Sequence, residues 1–209
     1  MSEIFTNINI IFYLSAYLIS SIPFGLLLAK KYANVDITKS GSGSIGATNV
    51  LRVVKEKDPA LAKKLSIATV TFDALKGIFV LLIASYLGVS EETKWAIAVF
   101  SVIGHCFSIF LLGEGGKGVA TGMGVLLYMI PYATIVALIV WFVSAKLIKI
   151  SALSSLIALA SLVIASFIIY PEIEVIRTHA PIIIIAIIIV YKHIPNIIRL
   201  FQGEEKQVV

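Results

Sequence analysis

The chain has 209 residues, of which 59% are hydrophobic and only 14% charged, with a formal net charge of +5. A soluble domain is about half apolar, and here the charges cluster so that long uncharged runs remain, which excludes an ordinary soluble fold. The runs do not alternate as the roughly ten-residue strands of a membrane β-barrel do. The basic loops lack interleaved aromatics, so no nucleic-acid surface is expected.

A run of roughly 18 or more apolar residues is long enough to cross a bilayer as a helix. In chain order the runs predict seven spans, near Ile4–Ala29, Ser66–Gly88, Trp95–Leu112, Lys117–Met129, Pro131–Lys146, Ser151–Tyr170 and Pro181–Ile198. The fourth is too short to cross straight, so it reads as a half-span or as part of the fifth, joined across Pro131. The first is long and followed by Lys30-Lys31, which marks a retained span rather than a cleaved signal. All of the 17 Lys+Arg except Lys94 and Arg177 fall on one side of this arrangement. Basic loops stay in the cytoplasm, so the N-terminus is placed outside and the C-terminus in the cytoplasm. The chain reads as a single all-α membrane-embedded domain, 1–209. It shows no internal repeat, which weighs against alternating-access transport. The lone Cys106 reads as a packing residue.

The unusual polar sequence gathers at the cytoplasmic ends. "SGSGSIGATNVLR" (40–52) sets Ser42, Thr48, Asn49 and Arg52 in a glycine frame. Glycines such as Gly43 let backbone N–H groups turn toward an anion, and arginine adds a bidentate phosphate contact. "FDALKG" (72–77) holds Asp73 and Lys76 three apart on a helix, inside an apolar run. Ionisable groups there mark a site or a pair, and a supporting role is the expectation. "GEGGKGVAT" (113–121) surrounds Lys117 with Gly115, Gly116 and Gly118. It departs from the nucleotide-binding P-loop pattern, because Leu111 stands at the first glycine position and Gly118 follows the lysine. A phosphate site at the N-terminus of the following helix remains. His105 reads as a histidine hydrogen-bonded within the bundle. "YKHIPNIIRL" (191–200) puts His193 and Asn196 on one helix face, between Lys192 and Arg199. Ser151 reads as a helix cap. Three scattered histidines and one cysteine make no zinc site, and no cofactor fingerprint occurs.

Together the four motifs resemble the bacterial acyl-phosphate–glycerol-3-phosphate acyltransferases, the PlsY family, over essentially the whole chain. The likeness rests on Gly41–Arg52, Phe72–Gly77, Gly115–Thr121, and His193–Leu200 with Glu205. It implies transfer of a fatty acyl group from acyl phosphate to the 1-hydroxyl of glycerol 3-phosphate, giving lysophosphatidic acid and inorganic phosphate without a cofactor. Further implications are a bacterial inner-membrane location, a cytoplasmic active site, and functional coupling to the enzyme that supplies acyl phosphate. Ser42, Arg52 and Lys117 match positions that hold substrate phosphate, Ser154 a further polar contact, and His193 and Asn196 positions tied to the acceptor hydroxyl. Glu205 matches a structural tail glutamate. Ser44, Glu114, Ser108 and Leu112-Gly113 depart from the pattern; Glu114 is expected to weaken the positive field or to pair with a nearby cation. The competing reading is a small transporter or flippase for an anionic phosphate metabolite, which needs a polar path across the bilayer. "PIIIIAIIIVY" (181–191) supplies none.

Overall fold

The computed structural model describes residues 7–205 and Gln207. Ile4, at the start of the first predicted span, and Lys206 lie outside the described residues. Among those described there are no strands, and nine α-helices follow in order: α1 Ile8–Ser20, α2 Phe24–Leu28, α3 Ala47–Lys55, α4 Pro59–Tyr86, α5 Glu91–Cys106, α6 Val119–Met129, α7 Pro131–Ile148, α8 Ser151–Ile169 and α9 Ala180–Phe201. Six segments are long and apolar enough to cross a membrane: Ile8–Ala33, α4, Glu91–Leu111, α7, α8 and α9. Their outer faces are apolar and exposed, as at Leu14, Phe79, Leu82, Phe142, Ile168 and Ile187. Water would not tolerate such a surface, whereas lipid solvates it.

The first crossing is broken where Pro23 removes an N–H and ends α1. The carbonyls there are met by side chains from other parts of the bundle, the requirement for irregular backbone at membrane depth. Ser108 Oγ donates to the Ser21 carbonyl (2.6 Å) and Lys76 Nζ to the Ile22 carbonyl (3.4 Å). The second crossing is longer than its apolar run. Asp58 caps α4 by accepting from Leu61 N–H (3.0 Å), and Pro59 occupies the first turn. Lys63 and Lys64 thus end the apolar stretch without ending the helix.

The fourth predicted span is the short α6, whose 11 residues cover about 16 Å at 1.5 Å each, too little to cross a bilayer. Its start is sunk to the middle of α4, where Thr121 Oγ1 donates to the Asp73 carbonyl (2.8 Å). Its end reaches the end of α4, where Tyr128 and Ser85 share a hydroxyl hydrogen bond (2.5 Å). Pro131 opens a separate helix, so the fourth and fifth predicted spans do not fuse. The loop before α6 carries Lys117 to the wall of a cavity within the bundle. Gly124 lets α6 approach α4 closely, since a Cβ there would strike the Ala74 carbonyl. Two cores hold the arrangement. The larger includes Ala16, Leu81, Ile97, Val102, Leu126, Ile182 and Ile185. The smaller seats α3 against α4 through Ile37, Ile45, Val50, Val54 and Leu65.

Candidate active site

The glycine-framed loop before α3 is organised by one side chain. Asn49, only 1% exposed, donates from Nδ2 toward the carbonyls of Ile37, Ser40 and Ser44 (2.9, 3.1 and 2.8 Å) and accepts from Ser42 N–H (2.9 Å). Gly41 has φ +63°, and a Cβ there would strike Asn49 Oδ1, so the turn and the asparagine require each other. Asn49 is therefore committed to the loop, rather than free for phosphate as expected from sequence. Gly43 N–H is likewise taken by the Ser40 carbonyl (3.1 Å). Ser44 accepts from Gly46 N–H through its hydroxyl (3.3 Å), a local turn contact that the departure from the family pattern supplies. What the loop presents outward are Ser42, Thr48 and Arg52.

The lysine loop is built on the end of α5. Gly116 N–H donates to the His105 carbonyl (3.0 Å). A Cβ on Gly115 would strike the His105 carbonyl, and one on Gly116 the His105 ring. These two glycines thus serve close approach to α5, not an anion cradle. Gly118, at φ +83°, turns the chain into α6 and lies on the cavity wall. Burial pushes the Lys117 ammonium down to about 8 from the ordinary 10.5; Glu205 opposes this, and the cations of Arg199 and Arg52 add to it. A lysine held among cations in a recess is primed for an anion. Glu114 is exposed and forms no ion pair among the described residues, so the expected pairing with a cation is absent.

Behind this loop lies a buried cluster. Lys76 Nζ is 2.9 Å from Asp73 Oδ1 and 2.7 Å from His105 Nδ1. Removing either member of such a pair strands a charge in the low-dielectric interior. The supporting role expected for Asp73 and Lys76 fits this geometry.

The end of α9 supplies the fourth piece. His193, 1% exposed, hydrogen-bonds through Nδ1 to the Ile189 carbonyl (2.8 Å). That bond requires the proton on Nδ1 and leaves Nε2 as an acceptor. Glu205 folds back onto the helix: Asn196 Nδ2 donates to Oε1 (2.8 Å) and Arg199 Nε to Oε2 (2.7 Å). Asn196 Oδ1 is buried and has no partner, an unmet acceptor that costs stability until a donor arrives.

These pieces meet in one cavity of about 520 Å³. Ser42, Thr48, Arg52, Lys117, His193 and Asn196 form a polar, cationic end, while Val70, Leu75, Ile78, Leu127 and Leu138 form an apolar arm between α4 and α7. Val70, Leu75, Leu127 and Leu138 are also exposed on the outer surface, at 37–48%. The arm therefore opens sideways toward the lipid, through the gap that the short α6 leaves. Gly43, Gly115, Gly116, Lys76 and Ser154 are not on the wall. Ser154 is fully buried and donates to the Ile150 carbonyl (3.0 Å), so the expected polar contact is not made by that hydroxyl. Its neighbours Ser151 and Ser155 line the cavity instead, with Trp141. Ser151 shares a 3.1 Å hydrogen bond with Thr48 rather than capping α8. The sequence flagged this serine turn, but Trp141 carried no signal beyond its amphipathic character.

Residues 10–203 match the family model described as glycerol-3-phosphate acyltransferase. A curated relative named glycerol-3-phosphate acyltransferase, from Sulfurimonas denitrificans, is 64% identical over 97% of this chain and 98% of its own length. One of the same name from Aliarcobacter butzleri is 59% identical over 99% and 100%. The fold matches the crystal structure of PlsY (YgiH), an integral membrane glycerol 3-phosphate acyltransferase, in its glycerol 3-phosphate form. The TM-score is 0.83 and the identity 32%, over 95% of this chain and 94% of that one. The lysophosphatidic acid form of the same protein matches with TM-score 0.79 and 31% identity. The chain belongs to the glycerol-3-phosphate acyltransferase family.

Proposed function

We propose that the chain, an acyltransferase by family, moves a fatty acyl group from acyl phosphate to the 1-hydroxyl of glycerol 3-phosphate in phospholipid synthesis. The products are lysophosphatidic acid and inorganic phosphate. The observation that carries this reading is the single cavity with a cationic end and a lipid-facing apolar arm. That is the mould of an amphiphile with a phosphate head.

In this reading Ser42, Arg52 and Lys117 hold phosphate, and Asn49, Gly43, Gly115 and Gly116 shape the loops that present them. The acyl chain lies along Val70, Leu75 and Leu127 and continues into the bilayer. Acyl phosphate is a mixed anhydride and already activated, so positioning and charge stabilisation carry most of the catalysis. The 1-hydroxyl donates to His193 Nε2, and the 2-hydroxyl meets the orphaned Asn196 Oδ1. The hydroxyl oxygen attacks the acyl carbonyl carbon, and the carbon–oxygen bond to phosphate breaks. The proton passes by way of His193 to the departing phosphate. No acyl-enzyme forms, consistent with the absence of a nucleophile–base pair among the described residues of the cavity.

In this reading the cavity faces the cytoplasm of a bacterium, the N-terminus lies outside and the membrane is the inner one; the bias of Lys and Arg toward this end supports that orientation. The enzyme that makes acyl phosphate is the natural partner, because the donor hydrolyses readily in water. The test supplies labelled glycerol 3-phosphate with palmitoyl phosphate, palmitoyl-CoA or palmitoylated carrier protein. Labelled lysophosphatidic acid from palmitoyl phosphate alone is expected; product from either thioester alone would replace the donor assignment.

A further inference from the structure

The cavity wall includes one buried group that the proposed reaction does not use, His105. It is 3% exposed, and Lys76 Nζ lies 2.7 Å from its Nδ1. An ammonium has three donors and no acceptor. Lys76 spends them on Asp73 Oδ1, the Ile22 carbonyl and His105 Nδ1. The imidazole must therefore accept at Nδ1 and carry its proton on Nε2. That Nε2–H has no partner among the described residues. Unlike Asn196 Oδ1, it is not sealed off, because the ring lies on the cavity wall. The ring edge bearing it stands against Gly116, next to Lys117, and only a glycine leaves it room. Asp73, whose Oδ1 is 3.6 Å from His105 Nδ1, lies on the same wall, and Ala74 and Ile78 of the same helix line it too.

We propose that His105 is a further substrate-contacting residue, its Nε2–H donating to the head of the acyl phosphate where the acyl chain begins. The Asp73–Lys76 pair is the device that fixes the tautomer. This rests on acyl phosphate being the donor. An oxygen at that place gains negative charge as the hydroxyl attacks, and a preset neutral donor stabilises it without reorganisation.

Asparagine and glutamine separate this role from simple bracing, because asparagine restores the polar atom at the Nδ1 position and glutamine restores a donor at the Nε2 position. His105→Gln, His105→Asn and His105→Ala are purified in detergent, checked for a single melting transition, and assayed with palmitoyl phosphate and glycerol 3-phosphate. We expect His105→Gln to keep activity within about tenfold of wild type, and His105→Asn and His105→Ala to fall about a hundredfold in kcat or in kcat/KM for acyl phosphate, as for loss of one oxyanion donor. The KM for glycerol 3-phosphate should stay put. Asparagine matching or exceeding glutamine, a change confined to the KM for glycerol 3-phosphate, or full activity in all three would overturn the proposal. If wild type itself transfers nothing from palmitoyl phosphate, the donor reading fails and this proposal with it. If wild type is active and the variants do not separate, only the His105 assignment fails.

Discussion

Lys117 makes a quantitative prediction about pH. Its ammonium is pushed down to about 8 by burial, so it is lost as pH rises through 8 rather than through 10.5. If only the charged form binds substrate phosphate, about nine-tenths of the enzyme is competent at pH 7 and about one-tenth at pH 9. The value of kcat/KM, which reports the free enzyme, should fall about tenfold over that interval. Substrate phosphates titrate near pH 6 and stay dianionic throughout, so they do not produce the fall. Bound anion restores the ammonium, so kcat itself should fall later. Lys117→Arg keeps its charge at every accessible pH and should flatten the profile, whatever its absolute rate. The linkage sign supplies a control. Between about pH 8 and 10.5 the folded chain binds fewer protons at this site than the unfolded chain. This lysine's contribution to stability therefore rises while activity falls, which separates deprotonation from alkaline unfolding. A flat wild-type profile from pH 7 to 9.5, or the same fall in Lys117→Arg, would refute the reasoning.

Other expectations follow from single contacts. Asn49→Ala removes two N–H donors, shared among three carbonyls, and one bonded acceptor, and at a typical net of about 1 kcal/mol for each of the three should cost about 3 kcal/mol, read as a lowered Tm with a raised KM for phosphate substrates. Asp73→Asn leaves Lys76 without its counter-charge and should destabilise by about 3–5 kcal/mol; a Tm within a few degrees of wild type would contradict a structural pair. Leu112 is 98% exposed at φ +54°, a conformation that costs a branched side chain about 1 kcal/mol. Leu112→Gly should therefore raise Tm slightly with unchanged kcat.

The apolar runs of this chain made the bundle legible because a lipid-facing helix needs no finer pattern than length and hydrophobicity. Boundaries failed where a helix outlasts its apolar run, as at Lys63 and Lys64, or stops within one, as at Pro23. The sequence-level reading of Ser42, Arg52, Lys117, His193 and Asn196 converged on one cavity, because polar residues amid apolar ones have few places to go. It did not separate residues that face a ligand from those that hold the ones that do. Asn49 and Arg52 are polar residues three apart on α3 and both line the cavity, yet Asn49 spends its amide on its own loop. Gly116 resembles an anion cradle in sequence and serves the packing of His105 in space. Ser154 and Ser155 differ by one step of helix, about 100° of rotation, and the motif resemblance fell on the one that does not line the cavity. Long-range partners such as His105 with Lys76, 29 positions away, leave no local trace.

Acyl transfer from acyl phosphate in this cavity can be followed by inorganic phosphate release from palmitoyl phosphate by the detergent-purified chain, with and without glycerol 3-phosphate, beside Arg52→Ala. Release should require glycerol 3-phosphate, match lysophosphatidic acid one for one, and be lost in Arg52→Ala. Release independent of glycerol 3-phosphate, or undiminished in Arg52→Ala, would contradict acyl transfer in this cavity.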